Sequence, residues 1–145
     1  METEDIEFIT NTLTVEFPEL QALYLFGSAA LQEAGSIEDV CSPGDIDIAL
    51  LFPVETAQKK GPLGMTDAAV ELEEFFSLPV DLVNIRNVSL SFRKEILATG
   101  RRVYSKDTKE ADTFEMLTIS FYQKLNEERR EILEDFFKTR RAYNV

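Results

Sequence analysis

Two aspartates, Asp45 and Asp47, open a run that is otherwise apolar as far as Phe52 (DIDIALLF). A segment of this length and composition reads as a strand buried on both faces, Asp45 to Phe52. Strand side chains alternate, so the two carboxylates project from one face while Ile46 and Ile48 project from the other. A charge at the head of such a strand costs free energy unless it is paired or holds a cation. Carboxylates at i and i+2 suit a hard cation, because Mg²⁺ takes oxygen ligands and leaves its remaining positions to water or phosphate oxygens. The spacing alone carries little weight in an acidic chain: Glu71-Leu72-Glu73 repeats it, and most such pairs are solvated faces.

Composition narrows the chemistry. The 145 residues include no histidine and a single cysteine, Cys41, which excludes an ordinary zinc constellation, a histidine-based triad and an internal disulfide. Carboxylates, hydroxyls, amines or a hard metal must do the work. With 27 acidic and 15 basic side chains the net charge is −12, which argues against direct nucleic-acid binding, since that affinity comes from neutralising phosphates with Lys and Arg. The acidity is uneven: residues 1–100 hold 18 acidic and 5 basic side chains, residues 101–145 hold 9 and 10. The length fits one domain, able to bury about two-thirds of its unfolded surface. No apolar run approaches the ~20 residues of a membrane span, and the acidic opening Met1-Glu2-Thr3-Glu4-Asp5 is unlike a signal peptide. A cytoplasmic protein without membrane contact is expected.

Periodicity and punctuation supply the elements. Ile6, Phe8, Ile9, Leu13 and Phe17 predict a helix over Asp5 to Phe17, ended by Pro18. Gln21 to Phe26 reads as a strand stopped by Gly27-Ser28, Ala29 to Glu33 as one or two helical turns, and Gly35 to Gly44 as an irregular loop. Residues 53–64, with two Pro, two Gly and two Lys, read as a mobile excursion. Met65 to Phe76 is a helix with Thr66 as N-cap, and Val80 to Ile85 a third strand. Ser89 to Thr99 is a short helix capped by Ser89 or Ser91, with Gly100 as a left-handed stop, and Arg101 to Tyr104 a last strand. Lys109 to Arg141 is one long helix. Its Phe114, Leu117, Phe121, Leu125, Ile132 and Phe136 form an apolar stripe. Met116, Ile119, Leu133 and Phe137 lie off it, and either pack beneath another part of the domain or face a partner. The fold class is α+β (α/β), a small mixed β-sheet flanked by helices. Residues 1–106 form the core and 107–145 a C-terminal helix, within one domain.

Three features converge: Gly27-Ser28 directly after a strand, Asp45-Ile46-Asp47 heading the next, and Asp81 early in a third. Leu23-Tyr24-Leu25-Phe26-Gly27-Ser28, Gly44-Asp45-Ile46-Asp47-Ile48-Ala49 and Val80-Asp81-Leu82-Val83 resemble the motifs of the DNA polymerase β-like nucleotidyltransferases in their minimal (MNT) form. Ile96 to Ser105 is similar to the family's post-catalytic helix and strand. Thr118 to Leu125, with Glu128-Arg129, resembles the C-terminal helix of MNT antitoxins paired with HEPN ribonuclease toxins.

The resemblance implies a polymerase β-like nucleotidyltransferase fold with a long C-terminal helix that docks the partner. It implies that Asp45 and Asp47 bind two Mg²⁺ ions, that Asp81 completes the site beside the acceptor hydroxyl, and that Gly27 and Ser28 hold the β and γ phosphates of ATP. The implied activity is transfer of AMP from ATP to a tyrosine hydroxyl of a HEPN ribonuclease toxin, in a hetero-oligomer with that toxin. An antitoxin acting by binding alone, or a small-molecule nucleotidyltransferase of the aminoglycoside type, are the alternatives. Two departures from the family pattern stand out: 16 residues separate Ser28 from Asp45 where about ten are usual, and Leu31 stands where many members carry arginine, a role left to Lys59, Lys60 or a partner residue.

Overall fold

The computed structural model describes residues 2–27 and 44–143. A four-stranded sheet of order β3-β2-β1-β4 organises them, with β1 Ala22–Phe26, β2 Ile46–Leu51, β3 Val80–Asn84 and β4 Arg101–Ser105. β1 runs antiparallel to both β2 and β4, whereas β2 and β3 are parallel. The sheet is therefore mixed, as expected. Five α-helices accompany it among the described residues: α1 Thr3–Glu16, α2 Val54–Lys60, α3 Asp67–Phe76, α4 Leu90–Thr99 and α5 Thr108–Tyr143.

Alternation along the strands divides the core into two layers. Leu23 and Leu25 of β1 and Ile46, Ile48 and Leu50 of β2 join Ile9 and Leu13 of α1 and Ala68, Ala69 and Leu72 of α3 on one face. Ala22, Tyr24, Ala49 and Leu51 meet Ile96 of α4 and Ala111 and Phe114 of α5 on the other. β2 is thus buried on both sides, which its near-continuous apolar sequence requires. Local chemistry ties the helices down. Thr66 Oγ1 accepts from Ala69 N at 3.2 Å and Glu16 Oε2 accepts from Ala68 N at 2.6 Å, so two side chains satisfy orphan donors at the start of α3. Ser89 Oγ accepts from Phe92 N at 3.2 Å and caps α4.

Three expectations need correction. Residues 53–64 are not an excursion: Val54 to Lys60 form α2, with Pro53 before it, Lys59 and Lys60 in its last turn and Gly61 at its end. Pro at the start and Gly past the end are helix punctuation as much as loop composition, and buried Asn84 secures the segment by donating from Nδ2 to Ala57 O and Gly61 O, both at 3.0 Å. Gly100 has φ −93°, not a left-handed value. Glycine is needed there for space, since a Cβ would stand 2.7 Å from Leu25 O and 2.5 Å from Ile96 O. The third correction concerns α5. Of its predicted stripe only Phe114 is buried; Leu117 is exposed, and Phe121, Ile132 and Phe136 are each more than half exposed. The off-stripe set, Met116, Ile119, Leu133 and Phe137, is exposed as well. Arg102 anchors the beginning of the helix through Glu115 at 2.7 Å and Asp112 at 2.8 Å, and Lys94 lies over the Tyr122 ring. From residue 126 to residue 139 every side chain is exposed. The predicted turns at Ala29 to Glu33 and the loop from Gly35 to Pro43, with Leu31 and Cys41, lie outside the described residues.

Candidate active site

The sheet register assembles the acidic residues. Parallel pairing sets Asp47 opposite Asp81, and antiparallel pairing sets Phe26 opposite the same Asp47. Since Ile46 and Ile48 are fully buried towards α1 and α3, alternation sends Asp45 and Asp47 to the other face, shared with Ala49 and Leu51. Asp81 falls on this same face because its neighbours Val80 and Leu82 pack with the opposite layer. All three stand where β2 and β3 begin.

Gly27 closes the arrangement from β1. It follows Phe26 with φ +71°, a left-handed conformation that glycine adopts without steric cost. A Cβ there would collide with Asp47 Oδ2. The residue is therefore glycine for two reasons, its backbone angle and the carboxylate beside it. Ser28 lies outside the described residues, so of the five predicted site residues the fold brings together Gly27, Asp45, Asp47 and Asp81.

Electrostatics mark Asp47 as the strained member. Burial first, then the charges of Asp81 and Asp45, push its carboxyl above the ordinary range. Asp45 and Asp81 themselves are exposed. Among the described residues no group of three or more acidic, cysteine or histidine side chains is drawn closely enough to hold a metal ion as it stands. The donor set nevertheless fits a hard divalent cation: every donor is a carboxylate oxygen, and a cation at Asp47 would reverse the repulsion that raises its pKa.

A sheet whose β1 ends in glycine beside an Asp-x-Asp strand, with a third aspartate in register on a parallel neighbour, defines a nucleotidyltransferase core. The family model for polymerase beta nucleotidyltransferases matches residues 7–109, and the chain belongs to that family. Protein adenylyltransferase MntA of Shewanella oneidensis is 30% identical over 129 residues, covering 88% of this chain and 84% of its own length. Among solved structures, a chain of the toxin–antitoxin complex MntA–HepT superposes with a TM-score of 0.63 at 25% identity, over 94% of this chain and 99% of that one. A complex of the tri-AMPylated Shewanella oneidensis HEPN toxin with its MNT antitoxin matches with a TM-score of 0.63 at 26% identity, over 94% and 99%. A toxin–antitoxin complex with AMP-PNP matches at 0.62 and 26%, over 91% and 98%.

Sequence reasoning passed over Asn84, which positions α2, and over Arg86 and Arg93. A signal for the arginines existed: they are two of only five basic residues among the first 100.

Proposed function

We propose that this chain is the antitoxin of a HEPN–MNT pair and acts as a protein adenylyltransferase, moving AMP from ATP to a tyrosine hydroxyl of its HEPN ribonuclease toxin within a complex in the cytoplasm. The observation that supports it most is the register that sets Asp47 between Asp81 and Gly27, in a chain related over most of its length to a protein adenylyltransferase.

In this reading Gly27 and Ser28 hold the β and γ phosphates, the left-handed turn at Gly27 bringing this part of the chain beside the Asp47 carboxylate. Asp45, Asp47 and Asp81 hold two Mg²⁺ ions, which when bound supply charge neutralisation at the attacking and leaving oxygens. Asp81, the most peripheral of the three on β3, faces the incoming acceptor and takes its proton. The tyrosine oxygen forms a bond to the α-phosphorus as the bond to pyrophosphate breaks in line. A phosphoanhydride bond of ATP is exchanged for a phosphodiester bond to the tyrosine, pyrophosphate carrying away the electron pair, so positioning and charge, rather than covalent catalysis, carry the rate.

The distal half of α5 is the docking element for the toxin. Large apolar side chains there stay exposed on a helix whose contacts with the core, among the described residues, lie in its first half, and contiguous apolar surface of this kind marks protein interfaces. Incubation of the purified chain with its toxin, labelled ATP and Mg²⁺ tests the reading. Mass spectrometry is expected to find AMP on a toxin tyrosine; an unmodified toxin defeats it.

A further inference from the structure

The opposite end of the sheet carries a second collection of charge. Arg86 follows β3 in a single 3₁₀ turn, Ile85–Asn87, and its Nε donates to Phe52 O at 2.7 Å. Phe52 stands five residues beyond Asp47, about 16 Å along an extended chain, so this end is remote from the catalytic carboxylates. Arg93 of α4 donates from Nε to Val88 O at 3.1 Å and from Nη2 to Arg86 O. The Arg86 guanidinium lies over the Phe114 ring, 4.9 Å from its centroid, and its Nε is the atom engaged with the backbone. Both arginines are half-buried and line a cavity of about 260 Å³ together with Val54, Ala57, Gln58 and Asn87. A second cavity of about 270 Å³ shares Val54, Arg86 and Arg93 and adds the apolar wall of Phe114, Leu117 and Phe121.

These two cations lack what the chain has in excess. In a protein with 27 acidic side chains, neither forms an ion pair among the described residues; all their hydrogen bonds go to backbone carbonyls. Glu110 lines the second cavity and its charge favours the Arg86 cation, but it stops short of a bridge. Burial and the nearness of Arg93 work against that cation. Two adjacent guanidiniums call for about two negative charges, which a phosphomonoester supplies at neutral pH and a single carboxylate does not. The planar N–H forks match phosphate oxygens.

We propose that the pocket lined by Arg86 and Arg93 is an anion site that takes the phosphate of a phosphomonoester, with the neighbouring apolar wall receiving the body of the ligand. The site is independent of the transfer reaction.

The test follows the arginine Nε–H signals by NMR in the whole chain, with EDTA present, while inorganic phosphate or AMP replaces chloride at constant ionic strength. Saturable shifts at Arg86 and Arg93 are expected, retained in the Asp45→Asn, Asp47→Asn double variant. Tighter binding of AMP than of phosphate identifies a nucleotide as the source, and equal binding identifies the free anion; both support the site. Val54→Asp and Gln58→Glu replace exposed cavity-lining side chains and put a carboxylate beside the guanidiniums. Each should weaken phosphate binding at least about tenfold, the equivalent of one charge-assisted hydrogen bond. Absence of saturation, binding undiminished in both variants, or loss of the shifts in the double aspartate variant overturns the proposal.

Discussion

Ile48 and Ile132 are the same side chain in opposite situations. Ile48 is fully enclosed between the central strands and the α1–α3 layer, whereas Ile132, on the far part of α5, is 67% exposed. Burying such a side chain is worth about 1.5–3 kcal/mol, so the core uses its apolar residues within the chain while the distal helix holds several in reserve. Its charged residues, Glu127, Glu128, Arg129 and Arg130 among them, keep that helix in water, and the Arg130–Glu127 pair at 3.9 Å adds little stability. The difference separates two kinds of information: the core's pattern specifies its own packing, and that of the distal helix, in the function proposed above, specifies association.

The largest expected effect breaks activity without touching this division. Asp45→Asn with Asp47→Asn removes two of the three carboxylates and should lower AMP transfer by at least about 10³-fold, the scale of several kcal/mol of charge stabilisation. Because the Asp47 carboxylate is disfavoured where it stands, the melting temperature of the variant should not fall. A collapse of the melting temperature would mean that the acidic cluster serves the fold instead. Next comes the helix. Ile119→Asp with Phe137→Asp alters two exposed positions and should release the toxin on size-exclusion chromatography, while the isolated chain keeps its stability within about 0.5 kcal/mol. An undisturbed complex would end the assignment of this helix to docking.

Much of this arrangement can be read from residues, and the unreadable part has physical reasons. β2 declares itself because a strand covered on both faces admits few polar residues, and the Asp-x-Asp at its head contradicts that pattern strongly enough to be noticed. The helix cap Thr66 is legible because capping is local, and the same rule narrows the cap of α4 to Ser89 or Ser91, of which the structure uses Ser89. α2 is not, since its Pro and Gly suit either a loop or a helix, and the buried amide of Asn84 that decides between them arrives from β3, more than 20 residues away in sequence. Nor does Gly100 show its reason, which is the backbone of β1 pressed against it. The apolar stripe of α5 has correct periodicity, but periodicity cannot say whether the surface that covers a stripe belongs to the same chain. Pairing register, which places Asp81 and Gly27 around Asp47, is likewise a property of the assembled sheet.

Two smaller effects sharpen the contrast from the core's side. Asn84→Leu deletes both donors that hold the end of α2 and should cost about 2 kcal/mol, seen as a lower urea midpoint. The same measurement on the exposed α5 positions should show almost no change. A full-size loss there would erase the distinction between the two regions.

The smallest effect is a pH dependence at Asp47. Its carboxyl sits above the ordinary range in the folded chain through burial and the charges of Asp81 and Asp45, so the folded state binds its proton more tightly than the unfolded state does. Stability from this group is therefore fully present below the ordinary carboxylate range and is lost as pH rises through the folded pKa. Asp47→Asn cannot lose it. Without divalent cation, urea midpoints of wild type and Asp47→Asn should converge in mild acid, and wild type should fall behind as pH approaches neutrality. Adding Mg²⁺ at neutral pH should close the gap, because a cation favours the ionised carboxylate that neighbouring charges oppose. A gap that widens towards acid, or one that ignores Mg²⁺, would mean that the three aspartates do not act on one another as a single acidic centre.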